Sequence, residues 1–168
     1  MATSHKENFE KVDLHEFRSS APIKIASGMS IYQKRFLKLL SGIRAASSPA
    51  NANSKDLVVG GYSIVRLVFE STVKDLSFEY HMGLESSYRG MIEREAAQEG
   101  QRPDDRVKLR LREVATVRFH SPAGIKEHVL GGTLDTLTFH QDVGEFNLLE
   151  IESLTQHEVR LEIISWNT

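Results

Sequence analysis

Residues 107–120 read VKLRLREVATVRFH, the clearest strand signal in the chain. Side chains alternate across an extended backbone with a period of two, so Val107, Leu109, Leu111, Val117 and Phe119 fall on one side. Lys108, Arg110, Arg112 and Arg118 fall on the other and make a basic strand face, the candidate partner-binding residues. Glu113 interrupts the apolar side and Val114 the polar side, which predicts a bulge near residues 112–113.

The same texture recurs on both sides of this stretch. Residues 62–70, YSIVRLVFE, and residues 73–82, with Leu76, Phe78 and Tyr80 alternating, predict a hairpin. Residues 133–140 and 146–154 are two further strand candidates. In residues 157–166, Val159, Leu161 and Ile163 alternate with Glu158, Arg160 and Glu162. Leu109, Leu111, Val117, Phe119, Leu161 and Ile163 are therefore expected in the core. Residues 85–100 place Tyr88, Met91, Ile92 and Ala96 at helical spacing before Gly100, predicting a short helix, and residues 102–105, RPDD, read as a turn. Connections this short leave no room for parallel crossover units. The fold class is mainly β (α+β): an antiparallel sheet or a two-layer sandwich with an N-terminal amphipathic helix packed on it.

That helix is predicted over residues 30–46. Tyr32, Phe36, Leu39, Leu40 and Ile43 recur at i, i+4, i+7, i+8 and i+11, and Ser30 with Gln33 resembles a capping box. Residues 47–55, rich in Ser, Asn and Ala, read as a linker. The chain of 168 residues then reads as one domain, with a basic segment (1–55) and a β-rich body (56–168). Residues 17–55 hold seven basic side chains and no acidic one, whereas the body carries about −7. Either the segment packs on the body and neutralises it, or it reaches a nucleic acid or an anionic membrane.

Composition narrows the chemistry. With no cysteine there is no disulfide, thiolate metal site or cysteine nucleophile. Residues 1–17 lack the apolar core of a signal peptide, which gives a soluble, cytoplasmic expectation. His81, His120 and His140 each follow an aromatic residue, and strand ends meeting at one rim would let them hold a metal. No HxH, HxxxH or HExxH spacing supports that, so the expectation is scattered histidines and no cofactor. Glu150 and Glu152 share a strand face at i, i+2, read here as a solvated surface. The pairs Gly60-Gly61 and Gly131-Gly132 lack phosphate-loop spacing.

Residues 107–120, followed by a loop and then by LLEIES and VRLEIIS, resemble small β-rich bacterial proteins that include immunity proteins of polymorphic toxin systems. The likeness covers roughly the last 60 residues. It implies a non-enzymatic protein that binds and blocks another protein. The expected function is thus that of a non-catalytic, protein-binding protein. The alternatives are a small-ligand-binding protein or enzyme on a β-sandwich or half-barrel, and a membrane- or nucleic-acid-associated protein acting through residues 17–55.

Overall fold

The computed structural model describes residues 2–25, 27–35, 40–46, 53–141 and 144–168. In chain order the first strands are β1 (Ser4–Glu7), β2 (His15–Glu16), β3 (Ile23–Ile25), β4 (Met29–Arg35), β5 (Gly42–Ala45) and β6 (Lys55–Val59). There follow β7 (Ile64–Val73) and β8 (Asp75–Gly83), then helices α1 (Ser86–Gln98) and α2 (Pro103–Arg110). The chain ends with β9 (Ala115–Ser121), β10 (Gly124–Leu130), β11 (Leu137–Gln141), β12 (Phe146–Ser153) and β13 (Glu158–Asn167).

These strands build two antiparallel sheets. One runs β11-β8-β13-β6-β5-β2, with β1 also paired to β13; the other runs β10-β9-β12-β7-β4-β3. Period-two alternation turns Leu76, Phe78, Tyr80 and Met82 of β8 toward Val117 and Phe119 of β9, Leu149 and Ile151 of β12, and Val65 and Leu67 of β7, in one shared core. Phe119 and Phe146 meet edge to face at a centroid distance of 4.9 Å, and Phe69 and Trp166 at 5.2 Å, geometry that the ring quadrupoles favour.

β13 carries a bulge. Leu161 pairs with Tyr80 but Ile163 pairs with Glu79, so Glu162 is the additional residue. The buried positions are accordingly Val159 and Leu161 before the bulge, then Ile164 and Trp166 after it. Ile163, expected in the core, is only half-buried for this reason.

Three further expectations are corrected. Residues 62–82 are not a hairpin: β7 and β8 lie in different sheets, and the corner between them is tied by the Lys74 N–H donating to Asn167 O at 2.9 Å. Such an arch puts the apolar faces of both strands on the same core.

The helix expected over 30–46 is also absent from the described residues of that stretch; positions 36–39 lie outside them. Residues 29–35 form a strand because Met29, Ile31 and Gln33 alternate inward and pair along β7, from Met29 opposite Phe69 to Gln33 opposite Val65. Ile43 is buried in β5, and Gly42 has no room for a side chain, since a Cβ would sit 2.2 Å from His15 O. Most of the expected linker, 47–52, lies outside the described residues, and Lys55 opens β6. Residues 1–55 thus supply β1 to β5 to the two sheets.

Residues 107–120 divide between a helix and a strand. Pro103 starts α2, Asp104 and Asp105 occupy its first turn, and Lys108 and Arg110 its last, each matching the helix dipole. Val107 is buried, Leu109 is 48% exposed and Leu111 is half-buried, while Val117 and Phe119 on β9 are core as expected. Helix α1 falls where the sequence places it, and its Glu95 binds Arg106 and Arg110 of α2. The α2 carboxylate Asp104 is buried. It accepts hydrogen bonds from Leu134 N at 2.7 Å, Asp135 N at 3.3 Å and Thr133 Oγ1 at 3.1 Å, pinning the chain that leads into β11. Burial alone would raise the Asp104 pKa; Lys108 and these donors outweigh it and hold the pKa below its usual value.

Candidate ligand-binding cleft

Where β8 and β13 lie side by side, their outward positions are polar. His81 and Gly83 come from β8, and Glu158, Arg160 and Glu162 from β13. Above them stand Arg89 of α1, Thr136 from the approach to β11, and Gln156 and His157 from the turn before β13. Together they line an open cleft of about 400 Å³.

The floor is a chain of alternating charges. Arg44 Nη1 of β5 lies 2.7 Å from Glu158 Oε1, Arg160 reaches the other Glu158 oxygen at 3.3 Å, and Arg160 Nη1 donates to Asp56 Oδ2 at 3.2 Å. Asp56 is buried, and burial pushes its carboxyl pKa up against the pull of Arg160. Gly83 keeps this floor open, since a Cβ there would meet Glu158 Oε2 at 2.9 Å. Beyond it, His81 Nδ1 lies 3.1 Å from Glu162 Oε1, the oxygen that also accepts from Thr136 Oγ1 at 3.2 Å. The His157 ring packs on Tyr88 at 4.4 Å. Burial lowers its pKa, the Glu85 charge opposing, which favours a neutral imidazole. Guanidinium, carboxylate, amide, imidazole and hydroxyl groups therefore share one concavity, a set that can both donate to and accept from a polar ligand.

The outer face of the six-stranded sheet carries a second charge network. Glu150 is buried, with Arg66 Nε at 2.8 Å, His120 Nε2 at 2.7 Å and Lys34 Nζ at 3.1 Å. Burial would raise its pKa, but these three partners overturn that and hold it at about 2. Glu152 beside it takes Arg35 at 2.7 Å and Arg118 at 2.6 Å. The expected solvated pair of carboxylates is thus a cross-strand ionic knot, with the bulge in β4 bringing Lys34 and Arg35 to the same face.

The basic strand face expected of Lys108, Arg110, Arg112 and Arg118 does not form. Lys108 and Arg110 sit on α2, paired with Asp104 and Glu95, Arg112 is exposed between α2 and β9, and Arg118 alone is on a strand. The three histidines are separated as well: His81 lies on Glu162, His120 on Glu150 and His140 on Asp75. Among the described residues no group of three or more His, Asp or Glu could hold a metal ion. Of the basic residues in 17–55, Lys24, Lys34, Arg35 and Arg44 pair with carboxylates of the body, and Arg18 with Glu16. Lys55 binds the carbonyls of Glu10 and Val12, and Lys38 lies outside the described residues.

A larger open groove of about 740 Å³ lies between the 6–15 segment and β3. Its polar groups are less convergent: Glu7 accepts from its own Phe9 N–H, and Lys24 turns to Glu70. The cleft on β8 and β13 is therefore the better candidate. In the sequence Glu158, Arg160 and Glu162 show only a polar strand face, because the partners that turn them into a cleft come from β5, β6, β8, α1 and two connections.

No family model and no curated protein matches the chain. Solved structures do. A single-site mutant of CBM29-2, a family 29 carbohydrate binding module, superposes with a TM-score of 0.50 at 10% identity, covering 100% of this chain and 92% of that one. The likeness is one of fold. Another mutant of a family 29 module gives 0.46 at 9% identity, covering 100% and 93%. Arabinose-bound MgGH51 α-L-arabinofuranosidase gives 0.45 at 13% identity, with 98% of this chain covering 26% of that one.

Proposed function

We propose that the protein is a non-catalytic binding protein whose cleft on β8 and β13 takes an oligosaccharide. The observation that carries the reading is the convergence of Arg89, Glu158, Arg160, Glu162 and Thr136 on one open concavity of a β-sandwich. Vicinal hydroxyls need donors and acceptors at close, fixed spacing. Planar guanidinium and carboxylate groups locked by their neighbours offer these at low entropic cost. The fold likeness to a carbohydrate binding module supports the same ligand class for this chain.

The test is calorimetric titration with hexasaccharides of glucose, mannose, xylose and N-acetylglucosamine. Binding of at least one is expected, weakened about tenfold or more by Arg89→Ala with Glu162→Gln and unchanged by Arg118→Ala on the other sheet. No binding of any, or equal loss with Arg118→Ala, would overturn the proposal.

A further inference from the structure

Independently of what the cleft binds, we infer that the protein self-associates through the free edge of β10. Two copies pair this strand antiparallel about a two-fold axis at Glu127, so that two six-stranded sheets become one of twelve. β10 ends one sheet and β11 the other. The other ends, β2 and β3, are only two and three residues long, a brevity that blunts an edge against pairing. β10 runs for seven residues and matches β9 one to one without a bulge, which leaves a straight edge.

Ser121 faces Gly124 across the two-residue turn 122–123, and the pair that flanks such a turn is a hydrogen-bonded one. Hydrogen-bonded pairs then recur at every second residue. Lys126, His128 and Leu130 turn their N–H and C=O groups to β9, and Ile125, Glu127 and Val129 turn theirs to the open edge. No strand meets these three among the described residues. Their side chains share the outer sheet face, where Ile125 is 60% exposed and Val129 51%. With Leu137 of β11 they are three of the six large apolar side chains exposed among the described residues. The Phe139 ring of β11 lies 5.9 Å from the His128 ring of β10, so both edges open on one side of the sandwich.

A charge on an edge ordinarily repels a second strand. Here Glu127, at the middle of the edge, is already matched by Arg118 Nε at 3.0 Å. A second copy of β10 fits this edge. Centred on Glu127, its Ile125 meets Val129 and its Val129 meets Ile125 on the same face, and the outward backbone groups of both strands fall into hydrogen-bonded pairs. Two Arg118 guanidiniums flank the two Glu127 carboxylates. The apolar–acidic–apolar order reads the same in both directions, which is what a two-fold axis requires.

Sedimentation velocity of the full chain from about 1 to about 200 μM should show a monomer converting to a dimer as concentration rises. The Glu127 N–H faces the open edge, so Glu127→Pro removes it without breaking the β9 ladder. This variant, and separately Ile125→Lys with Val129→Lys, should weaken dimerisation about tenfold or more while the dilute protein melts near the wild-type temperature. The chain has no cysteine, so Glu127→Cys carries a single thiol. Hydrogen-bonded partners have Cα atoms about 5.5 Å apart, within disulfide reach. On oxidation this variant should cross-link, and Leu109→Cys, exposed on α2, should not. Should an edge variant lose its fold, the cross-linking comparison decides. A wild type monomeric throughout would overturn the inference, whether the edge then serves a strand of another protein or none. So would a dimer that survives both edge variants, or cross-linking as complete at Leu109→Cys as at Glu127→Cys.

Discussion

Replacing Glu150 with Gln should lower stability by about 3 kcal/mol at neutral pH, and the loss should vanish in acid. The Glu150 side chain is 4% exposed and carries Arg66, Lys34 and His120 on its oxygens. Its pKa is held at about 2 against 4.5 for an ordinary glutamate. At roughly 1.4 kcal/mol per unit, this difference gives about 3 kcal/mol. Removing one partner of a buried ion pair costs about the same. The folded-state pKa is depressed, so the contribution is present above pH 4.5 and is lost as the pH falls toward 2. The glutamine keeps the shape and removes the charge. Urea titrations of both proteins at half-unit steps from pH 7 down to the acid limit of folding measure the difference directly. The gap should be constant at the neutral end and close steadily below pH 4.5. A gap under about 1 kcal/mol at pH 7, or one unchanged across the acid range, would refute the account of how Glu150 is held.

Other consequences can be measured in the same way. Val107→Ala should cost about 2 kcal/mol by urea denaturation and Leu109→Ala less than about 1, because, of these two α2 side chains, Val107 is buried and Leu109 is exposed. Gly61→Ala should cost about 1–3 kcal/mol and lower the melting temperature, since the added methyl would force Gln156 to move. Asp104→Ala should speed amide hydrogen exchange at Leu134 and Asp135 selectively, leaving β12 and β13 protected, because both amides donate to that carboxylate.

That the fold is mainly β can be read from the period-two spacing of Val117, Phe119, Val159 and Leu161, which does not depend on what the strands pair with; the division into two sheets comes from the pairing itself. Helix α2 carries a start signal, Pro103 with acids in the first turn and bases in the last, but the apolar alternation over 107–111 masks it. The first sheet strands were hidden more deeply. Tyr32, Leu40 and Ile43 fit helical spacing, and it is the distant β7 that makes Met29, Ile31 and Gln33 a strand face. The cleft was beyond local reading. Glu158, Arg160 and Glu162 alternate like any solvated edge, and their role is set by Arg44, Asp56, His81 and Thr136, between 26 and 114 positions away.

The bulge in β13 makes that strand a permanent frameshift. Core positions have odd parity up to Leu161 and even parity from Ile164 onward, so the strand behaves as two words joined by one spare letter. The first word writes the cleft; the second seats β1, whose four residues pair with Ile164 to Asn167. Elsewhere in the strand, losing or gaining a residue would turn one word inside out and expose its apolar letters. At residues 162–163 the spare letter can be struck out and both words still read correctly against the core. Length there is free to change while the fold is kept, and such a change would slide the cleft past the β1 seat by one residue.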